Sequence, residues 1–248
     1  MAEMRRGLVV GEYNLCERTG VAFAEIPSGV FYAGHRAAFQ VNTRGFLLGR
    51  YPVTNQQWHR FVQSTDYWPE DSDFGRYLLH WGGSRTPPSE LLDHPVTWIS
   101  LRDAMNYAAW AEASVPSEWY WEKAARGLDG RLCPWGDDVT LAPSLCHVRQ
   151  RQTAEVDRYA HVRTAFGCEQ MIGNVGELCL RADDPRGDLS QTPNVDELQD
   201  DHVVIRGGCY FRKSHNTMVC SHRRRLGASR RNSWTGLRIL RALSPPPP

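Results

Sequence analysis

Ile172-Gly173-Asn174-Val175-Gly176-Glu177-Leu178 lies inside an apolar block, residues 166–180, and its reading decides how the rest of this 248-residue chain is understood. Two phrases follow it in order. Val204-Ile205-Arg206-Gly207-Gly208 is a short apolar strand ending in paired glycines, which suit a turn or a close approach of strands. Thr235-Gly236-Leu237-Arg238 comes next, near the end of the chain. Working outward, four upstream phrases accompany them: Gly49-Arg50-Tyr51-Pro52-Val53-Thr54-Asn55, His94-Pro95-Val96-Thr97-Trp98, the run Pro116-Ser117-Glu118-Trp119-Tyr120-Trp121-Glu122-Lys123-Ala124-Ala125-Arg126-Gly127, and Pro134-Trp135-Gly136-Asp137.

Residues 21–29 and 45–50 read as short strands bounded by Gly and Pro, an opening hairpin. Thr54 is placed to cap a first helix through its hydroxyl, and Trp58, Phe61 and Val62 then fall on one face. Ser100 followed by Asp103 has the capping-box layout, and Ala104, Tyr107, Ala108 and Ala111 continue an apolar stripe. Ser117 reads as the cap of a third helix, with Glu122 reaching Arg126 one turn on and Gly127 ending it. Residues 67–93 mix Pro, Gly, Ser and charge with isolated aromatics, and read as a long ordered loop.

Taken together and in this order, the phrases resemble the formylglycine-generating-enzyme, or sulfatase-modifying-factor, family. The match runs from about Phe23 to Arg241. It implies an irregular, loop-rich α+β domain with a C-type-lectin-like fold over residues 21–243, preceded by an extension at 1–20 and followed by a proline tail at 244–248.

A chain of this size, about two-fifths apolar, can bury one sizeable core. Its seven cysteines are an odd set without a C-x-x-C pair, which argues against a disulfide framework or a zinc ribbon and favours reduced, buried thiols. The first 20 residues hold only a short apolar run, too short for a secretory or membrane segment, so cytoplasmic residence is expected. No G-x-S-x-G, P-loop or dinucleotide fingerprint occurs, and the histidines lack metal-site spacing, which removes the hydrolase, kinase and dehydrogenase readings.

Charge is divided unevenly. From Arg206 onward there are ten basic residues and no acidic one, so with a net charge of +1 for the whole chain the remainder carries −9. Such asymmetry points either to an anionic partner for the basic segment or to an acidic surface elsewhere in the molecule, for which the Asp-rich stretch at 183–201 is the candidate.

The resemblance carries expectations about sites. The family turn that matches residues 173–178 commonly holds calcium, which would place the ion at Asn174, the Val175 carbonyl and Glu177; the alternative is that Asn174 and Glu177 hold the turn by hydrogen bonds alone. Catalytic relatives bind copper(I) through two cysteines with four residues between them, shortly after the Arg-Gly-Gly strand. Here those positions are Arg212 and Thr217, neither a thiolate, so no copper is expected. Cys209 and Cys220 are a remote replacement pair.

The segment between the last two anchors resembles the ligand face of another branch of the superfamily, the variable proteins of diversity-generating retroelements. Tyr210, Phe211, Arg212, Lys213, His215, Asn216, His222, Arg223, Arg224, Arg230, Arg231, Asn232 and Trp234 are the expected ligand-binding residues. The expected function is a non-catalytic ligand- or protein-binding module. The alternatives are an oxygen-dependent oxidoreductase with a divergent site, or an accessory subunit of a larger assembly. A protein with an acidic surface, or another anionic ligand, is the expected partner. Nucleic acid is the weaker candidate because no nucleic-acid motif accompanies the charge.

Overall fold

The computed structural model describes residues 14–70, 76–181 and 203–243. Strands β1 (Asn14–Cys16), β2 (Val21–Ile26), β5 (Phe46–Gly49) and β10 (Leu240–Ala242) form one sheet in the order β1-β2-β5-β10, every pair antiparallel. The expected pairing of the two opening strands is present, with Phe23 opposite Gly49 and Ile26 opposite Phe46. The connection between them holds a hairpin of its own, β3 (Gly29–Ala33) with β4 (Phe39–Thr43). Moreover, β1 lies within the stretch read as an extension and pairs with β2, so sheet structure begins before residue 21.

Two of the three predicted caps are made. Thr54 and Gln57 form a reciprocal capping box at α1 (Asn55–Thr65), and Ser100 and Asp103 form another at α2 (Leu101–Trp110), each satisfying donors that a first turn leaves free. Ser117 precedes α3 (Glu118–Arg126), but its hydroxyl makes no capping bond and has no partner. The backbone here is committed elsewhere: Leu180 donates its N–H to the Pro116 carbonyl, bridging this point to the central sheet.

α3 organises the domain despite its polarity. Lys123 is buried, and its ammonium donates to the carbonyls of Pro27 (2.7 Å) and Gly29 (2.9 Å) and to Thr43 Oγ1 (2.9 Å), with burial pulling its pKa down to about 8. Arg126 donates to the carbonyls of Tyr32 (3.0 Å) and Gly34 (2.9 Å) and to Glu122 (2.9 Å). The β3–β4 hairpin therefore hangs on this helix by side-chain-to-backbone bonds. After the four-residue α4 (Ala142–Leu145), the long irregular stretch returns to the core at β6 (Gly176–Leu180).

The central sheet has the order β8-β7-β6-β9, from β7 (Val203–Arg206), β8 (Arg223–Arg225) and β9 (Thr235–Gly236). Only the β6–β9 pairing is parallel. One apolar cluster packs Trp58 flat on Tyr107 at a centroid distance of 4.9 Å beneath α1 and α2, and the other gathers Phe46, Tyr120 and Trp121 under α3.

Of the stretch read as a long loop, residues 76–93 are pinned by Asn55, whose Oδ1 accepts from Trp81 Nε1 (2.8 Å) and faces His80 Nε2 at 2.7 Å. The other ring nitrogen of His80 is buried without a partner, and burial, followed by the field of His94, pushes its pKa down to about 4 from an ordinary 6.5. Between those values the unfolded chain takes up a proton that the folded one refuses. Stability should therefore drop as pH falls through this window, by ~3 kcal/mol from this residue. Urea unfolding at pH 7 and pH 4.5 should show His80→Gln losing less on acidification than the wild type; equal losses would clear His80 of the effect.

Candidate functional site

The turn before β6 works as a clamp. Gly173 adopts φ 84°, and a Cβ there would lie 2.8 Å from the His147 carbonyl oxygen, so this approach requires glycine. Asn174, also left-handed at φ 55°, accepts from the Ala154 N–H (2.9 Å) through Oδ1 and donates to Ala154 O (2.9 Å) and Gln170 Oε1 (2.5 Å). Glu177 accepts from Trp121 Nε1 (2.6 Å) and from Arg238 at both carboxylate oxygens (2.9 and 2.8 Å).

Each side-chain oxygen expected to hold calcium thus already has a protein donor, and the one carboxylate already faces a cation. Val175 is buried and brings no further acidic group. Calcium takes six to eight oxygens; among the described residues no group of three or more His, Cys, Asp or Glu side chains converges on a metal position. Asn174, Val175 and Glu177 do not fit the ion in this arrangement.

Two buried arginines bracket the basic segment. Arg238 also donates to the carbonyls of Gly49 (2.6 Å), Arg50 (2.6 Å) and Glu169 (2.8 Å), tying β5 to the central sheet. Arg206 pairs with Glu122, lies 3.6 Å from Glu118, and donates to the carbonyls of Cys220 (2.9 Å) and Ser221 (3.3 Å). Between these clamps a shallow cleft opens beside β7, with about 10 Å³ of space, roughly one water's worth. Its floor is Ile205 and Gly208, and Cys209, Arg212, His222, Arg224 and Trp234 form its walls.

The charge in this cleft is unbalanced. The Arg224 guanidinium carbon lies 5.0 Å from the Trp234 ring centroid, and that of Arg212 lies 6.0 Å from Trp234 and 5.3 Å from Phe211. Among the described residues no carboxylate pairs with Arg212, Lys213, Arg224, Arg225 or Arg230. Burial, with Arg212, Arg206 and Arg224 adding to it, holds the His222 pKa below its ordinary value. Burial likewise pushes up the Cys209 thiol, so it stays protonated at neutral pH.

Of the residues expected to bind ligand, Arg212, His222, Arg224 and Trp234 converge on the cleft, and Phe211 and Lys213 stand exposed beside it. Trp234 also packs on the core, so it is a wall of the site and part of the frame. Others are placed differently. Arg231 is buried and bidentate to Asp103 (2.8 and 3.0 Å); Tyr210 is buried with its hydroxyl 3.1 Å from Ser233 Oγ; Asn232 spends Oδ1 on the N–H groups of Trp234 and Thr235. These three hold the fold.

His215 faces the Val139 carbonyl at 3.1 Å, Arg223 pairs with Glu118 at 2.8 Å, and Asn216 and Arg230 are exposed outside the cleft. Thr217 donates to Ser214 O, and Cys220 is fully buried away from Cys209's cleft. The acidic stretch at 183–201 lies outside the described residues.

Arg149 joins the face unforeseen. Its N–H donates to the Arg212 carbonyl (3.1 Å), Gln150 N–H donates to Tyr210 O (2.7 Å), and the Arg149 guanidinium reaches His215 at 3.4 Å. The signal was Arg149 and Arg151 flanking Gln150 in an otherwise unassigned loop; what it lacked was any hint that this loop returns to residues 210–212.

Residues 14–243 match the family model for the sulfatase-modifying factor enzyme 1-like domain. The chain belongs to that family. It is 29% identical over 211 residues to the formylglycine-generating enzyme of Thermomonospora curvata, covering 62% of this chain and 69% of that protein. It is 33% identical over 186 residues to a hercynine oxygenase of Mycolicibacterium thermoresistibile, covering 64% of this chain but only 40% of that protein. Among solved structures, PvdO from Pseudomonas aeruginosa superposes with a TM-score of 0.74 at 20% identity over 94% of this chain and 98% of that one. Variable protein 1 of Treponema denticola gives 0.65 at 16% identity over 90% and 95%. These two likenesses are of fold: an irregular, loop-rich α+β domain of the formylglycine-generating-enzyme type with C-type-lectin-like character.

Proposed function

We propose that this family member is a ligand- or protein-binding module that takes anionic groups in the cleft walled by Arg212, His222, Arg224 and Trp234. The observation that carries this reading is a pair of guanidinium groups beside one indole with no described carboxylate to balance them. Guanidinium on an aromatic ring is attracted by the ring's quadrupole and keeps its N–H edge available for a carboxylate or phosphate. An acidic protein surface suits the site better than nucleic acid. Trp234 is already engaged by two cations and by the perpendicular ring of Phe211, which leaves little open ring for a base. Seven unpaired cysteines support cytoplasmic residence, and no helix among the described residues is long and apolar enough to cross a membrane.

Titration with glutarate and inorganic phosphate, followed by NMR at the Trp234 indole N–H, tests the reading. Arg224→Gln should weaken binding about tenfold, roughly 1.4 kcal/mol, while Arg230→Gln, outside the cleft, should leave it unchanged. Equal effects of both changes would reduce the site to diffuse surface charge.

A second reading draws on the relatives, one named a formylglycine-generating enzyme and the other an oxygenase, and on Cys209 in the cleft wall. Copper and iron analysis of the purified protein, with oxygen consumption on a cysteine peptide, separates the two. Metal-dependent turnover would overturn the binding-module reading.

A further inference from the structure

β8 is the last strand of its sheet, and among the described residues its outer edge pairs with nothing. An open edge accepts further strands unless charge blunts it. All three residues of β8 are exposed arginines. The same charge that repels another basic strand attracts an acidic one.

The two faces of β8 differ. Register places Arg223 opposite Arg206 and Arg225 opposite Val204 on one face, and Arg224 opposite Ile205 on the other. On the first face Arg223 is matched by Glu118 at 2.8 Å, leaving Arg225 in solvent. On the second, Arg224 lies against Trp234 with Arg212 close to the same ring, and no described carboxylate meets either. Unmatched charge is therefore concentrated on the Arg224 face. Because side chains alternate along a strand, a partner strand needs an acidic residue only at every second position to answer it.

We propose that β8 docks an extended acidic segment of a partner protein by strand addition, with alternate carboxylates of that segment entering the Arg212–Arg224 cleft. Main-chain hydrogen bonds to β8 would supply affinity, and the cleft would select sequence. This docking mode presupposes that the cleft takes anions.

The test leaves the protein untouched. A labelled peptide of alternating Glu and Thr is compared with one of the same composition whose glutamates form a single block, and N-methyl groups are added to alternate amides of the first. Strand addition predicts that the alternating peptide binds at least about tenfold tighter. Methylation in one register should abolish this gain while the other register tolerates it, and amide exchange should slow at residues 223–225. If glutarate and phosphate bind but block and alternating peptides are equal, or both methylation registers are harmless, strand addition fails while the anion site stands. If no anion and no peptide binds, both fall. Tighter binding of a short oligothymidylate than of either peptide would also overturn the proposal, in favour of a nucleic-acid partner.

Discussion

Arg238→Met is expected to remove about 3–5 kcal/mol of folding stability, the cost of breaking a buried ion pair by deleting one partner. Glu177 is 1% exposed and receives Arg238 at both oxygens, so the substitution strands a carboxylate in the core with only Trp121 Nε1 as donor. It also takes the guanidinium donor from the carbonyls of Gly49, Arg50 and Glu169, while the Glu169 N–H still donates to Arg50 O and keeps the end of β5 tied to the stretch before β6. Removing the charge at both ends should recover part of the loss. Glu177→Leu in the same chain leaves the Trp121 N–H unanswered, a residual penalty of about 1–3 kcal/mol. Urea unfolding of wild type, single and double variants at neutral pH measures this. A single-variant loss below about 1 kcal/mol would show that the clamp does not hold the fold.

Asp103→Asn should cost a similar amount, about 3–5 kcal/mol, although it keeps size and shape. The Asp103 carboxylate serves three elements: it accepts from the Ser100 N–H at the start of α2 (2.7 Å), from Arg231 (2.8 and 3.0 Å) and from the Tyr67 hydroxyl (2.8 Å). Asparagine can still accept at one atom, but it presents an amide donor to a buried guanidinium and removes the countercharge. Arg231→Gln should therefore destabilise comparably and leave glutarate affinity of the folded protein unaltered. Reduced affinity with unchanged stability would return Arg231 to the ligand face, where its neighbours in sequence suggest it belongs.

That pair shows where sequence reading reaches its limit. Thr54 and Ser100 were legible as caps because a hydroxyl, its reciprocal partner and the apolar stripe all lie within a few residues. The basic character of residues 206–241 was legible too, and Arg212, Arg224 and Trp234 do converge. Separating the open Arg224 from the buried Arg231 requires knowing that Asp103, 128 residues away, reaches only the latter. The β3–β4 hairpin was hidden for another reason: Val30, Tyr32 and Phe39 are exposed, at 49%, 43% and 47%, yet apolar, so the alternation that marks a half-buried strand is absent from the letters. Asn174 and Glu177 stood out correctly as a special turn. The Glu177 carboxylate suits a metal or a guanidinium and the Asn174 amide suits a metal or a turn, and only the positions of Arg238 and Ala154 distinguish these.

The clamps at Arg206 and Arg238 meet Glu122, Glu177 and main-chain carbonyls, none of which depends on the side chains at 211–213, 222, 224 or 225, whereas Arg223 touches the first clamp through the Glu118 it shares with Arg206. Foundation and façade are thus decoupled. Randomising the other exposed positions while keeping Arg223, Trp234 and both clamp arginines would yield a library whose members have similar melting temperatures and differ in what they capture.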